Sequence, residues 1–514
     1  MLMSKNIIRI AKEKINLKNY LLLSNVFLII FSIACFNLGL LPLKNPGDFI
    51  FLLLIAFLFA LYRPGWTFLF FAGFIILETV SLSPEETGIK MRPYQILGAL
   101  GLIAIGVRLF SKRLNFDLPK ICWSDWALAM LALSGFASAL SADDKMLAFK
   151  QSAVIISLFG IYVFSRTFIQ NSRDIKKILP FFLSSSFVVV LYSVWQNWRF
   201  IRGKSHFETM PGRPNGTFTE ADWLGIFLVF LLSALYPIAY NFYKNIDFYE
   251  IKYRIGRLIE AIFVWLMIIF STLALIITVS RSAWLGAGAV FAIFSFYVLK
   301  EREYKMLGMV LSGIILSLAL VYILNLTNFE LFNRLQSTGS GNQEITVSCD
   351  RGSDVPRSIV RLSQLSEFNC RHIDLEDVER EKSEGRVITR AYRDDPNVSI
   401  RKEIYEKSLN EIKNSPVLGI GWGNISGVLG TDERGSGLNS SNIFLEVWLG
   451  AGIIGLIAFL VFLGNIFYRS LKADKEWKLF LQLSLAAILI PNLFNAGIML
   501  GFLWFWLAIS QIKE

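Results

Sequence analysis

At 514 residues the chain is 54% hydrophobic and 14% aromatic but only 18% charged, with a mean hydropathy of +0.51, well beyond an ordinary soluble domain. A water-soluble fold of this length could not hide that much apolar surface. The net charge of +11 does not point to nucleic acid either, because most of the excess cations flank apolar runs, where anionic lipid headgroups attract them.

The apolar residues come in blocks of roughly 17 to 25, the length that crosses a hydrocarbon core about 30 Å thick. In chain order they predict spanning helices near 20–38, 48–62, 64–82, 93–109, 124–141, 147–168, 178–198, 223–242, 260–279, 283–299, 306–325, 442–468, 479–494 and 498–511. The fold class is therefore an all-α polytopic membrane protein with about 14 transmembrane helices, or 12 to 13 if pairs such as those flanking Arg63-Pro64-Gly65 are re-entrant. Lys5, Arg9, Lys12, Lys14 and Lys18 precede the first run and no small-residue cleavage site follows it, so it reads as a spanning helix rather than a signal peptide.

Orientation follows from the alternate loops. With the N-terminus inside, roughly 26 Lys and Arg fall in cytoplasmic segments and about 10 in short outer ones, the positive-inside bias. The rest lie in one long segment, 327–440, which translocates regardless of charge. This predicts a helical bundle over 1–326, an extracytoplasmic loop over 327–440, further membrane helices over 441–514 and cytoplasmic termini. Cys349 and Cys370 share the outer loop and are expected to form one disulfide, whereas Cys35 and Cys122 lie in or beside helices.

Three places concentrate polar chemistry. The outer loop 199–222 carries Arg199, Arg202, Lys204 and Arg213, and its turn-rich core Gly212-Arg213-Pro214-Asn215-Gly216-Thr217-Phe218 would hold Arg213 on a stiff, exposed backbone. A fixed external arginine suits a phosphate, because its planar fork donates two parallel hydrogen bonds; a solvated basic loop is the alternative. The second place is Ser280-Arg281, a charge in a two-helix corner with almost no loop around it. There Arg281 either snorkels to headgroups or enters a cavity between helices, and the small residues at 282, 283, 286, 287 and 288 favour the buried position.

The third place is the long loop. Residues 330–395 are charged and poor in apolar side chains, and predict no fold. Asp395-Pro396 then starts a short amphipathic helix that Asn414-Ser415-Pro416 ends. At about 100° per residue, Ile400, Ile404, Tyr405, Leu409 and Ile412 form one apolar face with Arg401 near its middle. That face is expected to dock on the bundle, where the cation needs a structural carboxylate or a ligand phosphate. The glycine-rich return Val417-Leu418-Gly419-Ile420-Gly421-Trp422-Gly423-Asn424 reads equally as an anion-binding nest and as a tight turn.

In this order the segments resemble the O-antigen ligase and O-antigen polymerase family over about 180–470. An arginine-bearing outer loop ending in Gly-Thr-Phe resembles Gly212 to Phe218, and a Ser-Arg corner resembles Ser280-Arg281. An arginine-bearing helix and a glycine return resemble the Arg401 segment and Ser415 to Gly423, and an "HNxxLE...GxxG" helix resembles Ser441 to Gly455. The resemblance implies an inner-membrane enzyme that moves a glycan from a polyprenyl-diphosphate carrier to an acceptor hydroxyl on lipid, glycan or protein, without metal or cofactor. Arg213, Arg281 and Arg401 would bind the diphosphate.

One departure concerns the base. The family's ligases commonly carry histidine where this chain has Ser441, and serine at its ordinary pKa is no general base near neutrality. The remaining outward candidates are His206, Glu220, His372 and Glu446. A flippase or transporter of lipid-linked saccharides is the competing function; it would expose polar residues along a central cavity, whereas here they cluster on one side. For the topology, cysteines introduced into 199–222 and 327–440 are both expected to react with an impermeant reagent in intact spheroplasts, and protection of either overturns it.

Overall fold

A computed structural model describes residues 2–204, 212–245, 251–326, 342–352, 358–359, 362–373, 378–394, 396–431 and 437–512. The chain divides into two compact units, Met1–Leu326 with Glu411–Glu514, and Thr327–Asn410. The return that follows Asn410 thus belongs with the bundle rather than with the long loop.

The first unit is helical: α1 (Leu2–Asn37), α2 (Pro46–Tyr62), α3 (Pro64–Phe74), α4 (Pro93–Phe110), α5 (Trp123–Leu140), α6 (Lys145–Phe168), α7 (Ser172–Ile201), α8 (Ala221–Asn245), α9 (Ile251–Ile277), α10 (Arg281–Lys300) and α11 (Tyr304–Ile323). Nine helices among the described residues are long and apolar enough to span: these except α2, α3 and α5, together with a later helix, Ile443–Lys472. The expected count of 14 is therefore matched only in part. The predicted span 64–82 stops at Phe74, because the chain beyond it turns to bond elsewhere: Glu78 and Thr79 donate their backbone N–H to the Thr217 carbonyl at 3.0 and 2.9 Å.

The predicted span 498–511 is also short, a helix over Gly501–Ile509, and its residues from Gly501 to Ala508 are all buried. A helix apolar on every side and buried on every side is a core element. Phe502 packs on Phe218, Phe227 and Phe230, and Phe505 on Phe71 and Phe182. Helix α8 is similarly enclosed, with every residue from Leu224 to Tyr236 buried.

Residues 330–395, expected to carry no fold, instead contribute a four-stranded sheet to the second unit. Strands β1 (Asn342–Cys349), β2 (Ser358–Ile359), β3 (Cys370–His372) and β4 (Val387–Asp394) take the order β2-β4-β1-β3. The central pair is antiparallel, from Asn342 opposite Asp394 to Cys349 opposite Val387. Ile345, Val347 and Cys349 point to one face at the period of two that a strand imposes, and close a small core with Ile359, Leu365, Cys370 and Ala391. Cys349 and Cys370 face each other across the β1–β3 pair and are joined by a disulfide. So small a core gains from such a staple, about 3 kcal/mol for a loop of this size in the chain-entropy model.

Helix α12 (Val378–Ser383) carries Glu381, buried to 1% exposure, which accepts from Ser348 Oγ at 2.7 Å and from Arg371 Nη2 at 2.6 Å. The serine hydrogen bond and then the guanidinium hold its carboxyl below the usual carboxylate range. A depressed pKa in the folded unit contributes stability above the unfolded value of about 4.3 and loses it as the pH falls through the folded value. Hydrogen-exchange protection of β1 and β3 in the full-length protein is therefore expected to fall below pH 4, and Glu381→Gln to lower it near neutral pH while converging with the parent in acid; acid-independent protection in the parent would contradict this.

Candidate functional site

The site is built around the corner between α9 and α10. The chain reverses in three residues, Thr278-Val279-Ser280, and the β-branched Val279 is held at φ +54°, a costly conformation for that side chain. Trp284 locks the reversal by donating Nε1 to the Leu275 carbonyl at 3.1 Å, and its backbone N–H to Ser280 O at 2.9 Å. The reversal presents the Thr278 carbonyl and the Ser280 hydroxyl toward α8. Close approach there needs Gly225, since a Cβ on it would stand 2.7 Å from that of Ala283.

Arg213 meets this corner, and its surroundings correct the expectation of an exposed loop. Its residue is only 8% exposed. Nε donates to the Thr278 carbonyl at 2.9 Å and Nη2 to Asp222 Oδ1 at 3.2 Å. The same carboxylate oxygen accepts from Ser280 Oγ at 2.5 Å. The loop is buried because its backbone is claimed from several sides: Gly216 N–H by Gln196 Oε1 at 2.8 Å, Gly212 O by Asn197 Nδ2 at 2.9 Å, and Thr217 Oγ1 donating to Ile76 O at 2.6 Å. Phe218 then stacks on Phe227.

The network continues through Ser282, next to Arg281, whose hydroxyl accepts from Asn495 Nδ2 at 2.8 Å. Asn495 follows α13 (Pro396–Asn414), α14 (Ile425–Leu429), α15 (Ile443–Lys472) and α16 (Lys475–Asn492). Two residues earlier the Leu493 carbonyl accepts from Asn442 Nδ2 at 3.1 Å. Asn442 is also the N-cap of α15, accepting from Phe444 N at 2.9 Å and Leu445 N at 3.3 Å. Polar contacts thus link the Arg213 loop, the Ser280 corner, the end of α16 and the start of α15 at one end of the bundle.

Beside this cluster, Ser441 sits at φ +51° and donates its N–H to Asn439 Oδ1 at 2.9 Å. Glu446, 8% exposed, accepts from the Ser440 N–H at 2.8 Å and so pins the approach to α15. Glu220 is half-buried just before α8, and Arg281, also half-buried, is the first residue of α10. In the second unit, His372 is exposed on β3. On α13, Ile404, Ser408 and Ile412 are buried and Arg401 and Tyr405 half-buried, while Ile400 and Leu409 are exposed. The buried stripe is thus narrower than the predicted face, and the half-buried Arg401 projects along it. His206 falls outside the described residues.

The glycine return settles as a packing device. The N–H groups of Gly419, Ile420 and Gly421 go to Ser415 O and Leu449 O, leaving none of the three for an anion. Gly419 and Gly421 adopt φ +74° and +83°, and a Cβ on Gly419 would strike the Leu449 carbonyl. Opposite, α15 breaks at Gly452 (φ 67°, ψ −175°), and the Ile453 N–H bonds the Val417 carbonyl at 3.2 Å instead of a helical partner.

Residues 265–460 match the O-antigen ligase family model. Over that stretch the chain is similar to the O-antigen ligase family. The matched stretch begins within α9 and ends within α15, so it contains the Ser280-Arg281 corner, the sheet unit, the glycine return and Ser441 to Glu446, but not Arg213 or Asp222. No curated protein and no solved structure gives a significant match. This similarity points to ligase-like glycan transfer in the envelope, and the nine apolar helices among the described residues to a multi-pass membrane protein.

Asp222 and Asn495 are the site residues that sequence reasoning missed. The only signal for Asp222 was an acidic residue in the first turn of a helix, which the helix dipole alone accounts for. Asn495 carried none. At Gly452, alanine would need a backbone conformation reserved for glycine and would meet the Val417 carbonyl. Gly452→Ala is expected to destabilise by about 2–5 kcal/mol, whereas Gly427→Ala, in open space, should be neutral or slightly stabilising. Thermal unfolding in detergent compares the two, and equal midpoints would refute the packing role.

Proposed function

We propose that the chain transfers a glycan from a polyprenyl-diphosphate carrier to an acceptor hydroxyl at the extracytoplasmic face of the cytoplasmic membrane, with both termini cytoplasmic. The observation that carries this reading is the joining of the Arg213 loop, the Ser280-Arg281 corner and the Asn442 helix start into one hydrogen-bonded cluster. The O-antigen ligase match lies over two of those three segments.

In the proposed reaction the acceptor oxygen bonds to the anomeric carbon as the anomeric bond to the diphosphate breaks. Polyprenyl diphosphate leaves with the bonding pair, and guanidinium groups offset its charge without a metal. Arg281 suits this role because it stands half-buried at the first position of α10, in the corner that the O-antigen ligase match covers. Arg213 would either meet the diphosphate directly or hold Asp222 in place. For Arg401 the family resemblance supports a third contact.

The acceptor's proton needs a base, and we assign it to the carboxylates that open α8, Glu220 or Asp222, in preference to Glu446, which is turned inward to Ser440. Ser441 is left to shape the turn, and His206 and His372 remain the alternatives.

Purified protein in liposomes with lipid-linked glycan and acceptor is expected to form a new glycosidic product. Alanine at Arg281 or Arg401 should reduce turnover by about a hundredfold or more, with lysine restoring only part, since losing an interaction with a buried charge costs about 3 kcal/mol or more. Asp222→Asn or Glu220→Gln should abolish turnover while the protein stays inserted. Leaflet exchange of the lipid without a glycosidic product would overturn the transferase reading.

A further inference from the structure

Helix α7 has two distinct working faces near its C-terminal end. On one, Gln196 and Asn197 are buried and hold Gly216 and Gly212 of the Arg213 loop. On the other, Leu191 and Trp195 form one wall of an apolar groove of about 530 Å³, whose opposite wall is Ile30, Ile33, Ala34 and Leu38 at the end of α1. Tyr192 OH ties the walls together by donating to Asn37 Oδ1 at 2.9 Å. The groove is open along its length, and Trp195 and Leu38 are 39% and 73% exposed.

Cations cap this groove at the end nearer the site. The Arg199 guanidinium stands 4.9 Å from the Trp195 ring, one turn on, and Arg202 and Lys204 lie 4.2 and 5.8 Å from the Trp198 ring. Between 199 and 213 the sequence holds Arg199, Arg202, Lys204 and Arg213 against the single acid Glu208. An aromatic girdle normally marks the depth of the headgroups, so an apolar slot leading into stacked cations has the order of parts of an anionic lipid: tail, interface, head.

We propose that the α1–α7 groove seats the isoprenoid tail of a polyprenyl diphosphate, with its diphosphate under Arg199, Arg202 and Lys204 before it passes around α7 to the Arg213 loop. The inference rests on the proposed donor class. A slot between two helices fits one long tail better than the paired tails of a phospholipid, and three cations suit a multiply charged head. The same turn of α7 touches both groove and loop, so a lipid held there lies beside the site without crossing the bundle.

A diazirine-bearing undecaprenyl diphosphate, photolysed with the full-length protein in phosphatidylcholine nanodiscs, tests this. Label is expected on the peptides holding Ile30–Leu38 and Leu191–Trp195, displaced by unlabelled undecaprenyl diphosphate and not by phosphatidylglycerol. Ala34→Trp, which fills the slot, should weaken labelling about tenfold, the effect of excluding a few methylenes. Arg199→Gln with Arg202→Gln should weaken it comparably with the apolar walls intact, covering the case in which Ala34→Trp does not insert. Label elsewhere, or displacement by phosphatidylglycerol alike, overturns the seat. Labelling in the groove by a protein that forms no glycosidic product leaves the seat standing and removes the transferase reading, while transfer without labelling there does the reverse.

Discussion

A guanidinium drawn out of water must find acceptors for its rigid fork of donors, or the fold loses several kcal/mol. Arg213 meets that demand with a main-chain carbonyl, that of Thr278, and a carboxylate, that of Asp222. Each acceptor belongs to a different element, so satisfying one side chain fixes the loop before α8, the first turn of α8 and the corner between α9 and α10 together. Ser280 adds a second donor to the same carboxylate oxygen, and the strained Val279 is tolerated because the bonds on either side over-determine it.

A second buried charge braces the far edge of this arrangement. Glu78, 1% exposed, pairs with Arg92 at 3.1 Å and accepts from Tyr94 OH at 2.8 Å and from the Gly501 N–H at 2.7 Å. It thereby joins the turn after α3 and the start of α4 to the enclosed helix Gly501–Ile509. The neighbouring backbone bonds Thr217, so the Arg213 loop is held from the interior as well as from the corner. The polar cluster is built on rigid helix ends, the kind of support that positions side chains closely.

Much of this was legible in the sequence because it depends on local pattern. Apolar block length located the nine helices among the described residues that are long and apolar enough to span, and the Ser-Arg and glycine-return segments lie in the stretch that matches the O-antigen ligase family. What escaped depends on partners distant in the chain. Helix α3 ends early for the sake of Thr217, and the fully apolar stretch after Leu500 looked like a span because composition does not tell protein neighbours from lipid. The sheet of the second unit was hidden because its core takes a few alternating residues from short strands, set among charges that face outward. Arg213 looked exposed because turn formers usually are; the bonds that bury it come from Gln196, Asn197 and Thr278.

The break in α15 has a mechanical meaning. At Gly452 the helix surrenders its own hydrogen bond, and the carbonyl of Val417 completes it from outside. The short return is thereby written into the wiring of a membrane helix, at a point three residues before Gly455 packs against Ser134 of α5. Force applied to the chain just after Asn414 would be felt in the middle of α15 and along its seam with α5, whereas slack in the return would leave that helix with an unbonded N–H. The return therefore works as a tether of fixed length, and its tolerance for inserted or deleted residues should be far lower than its glycine-rich, loop-like composition suggests.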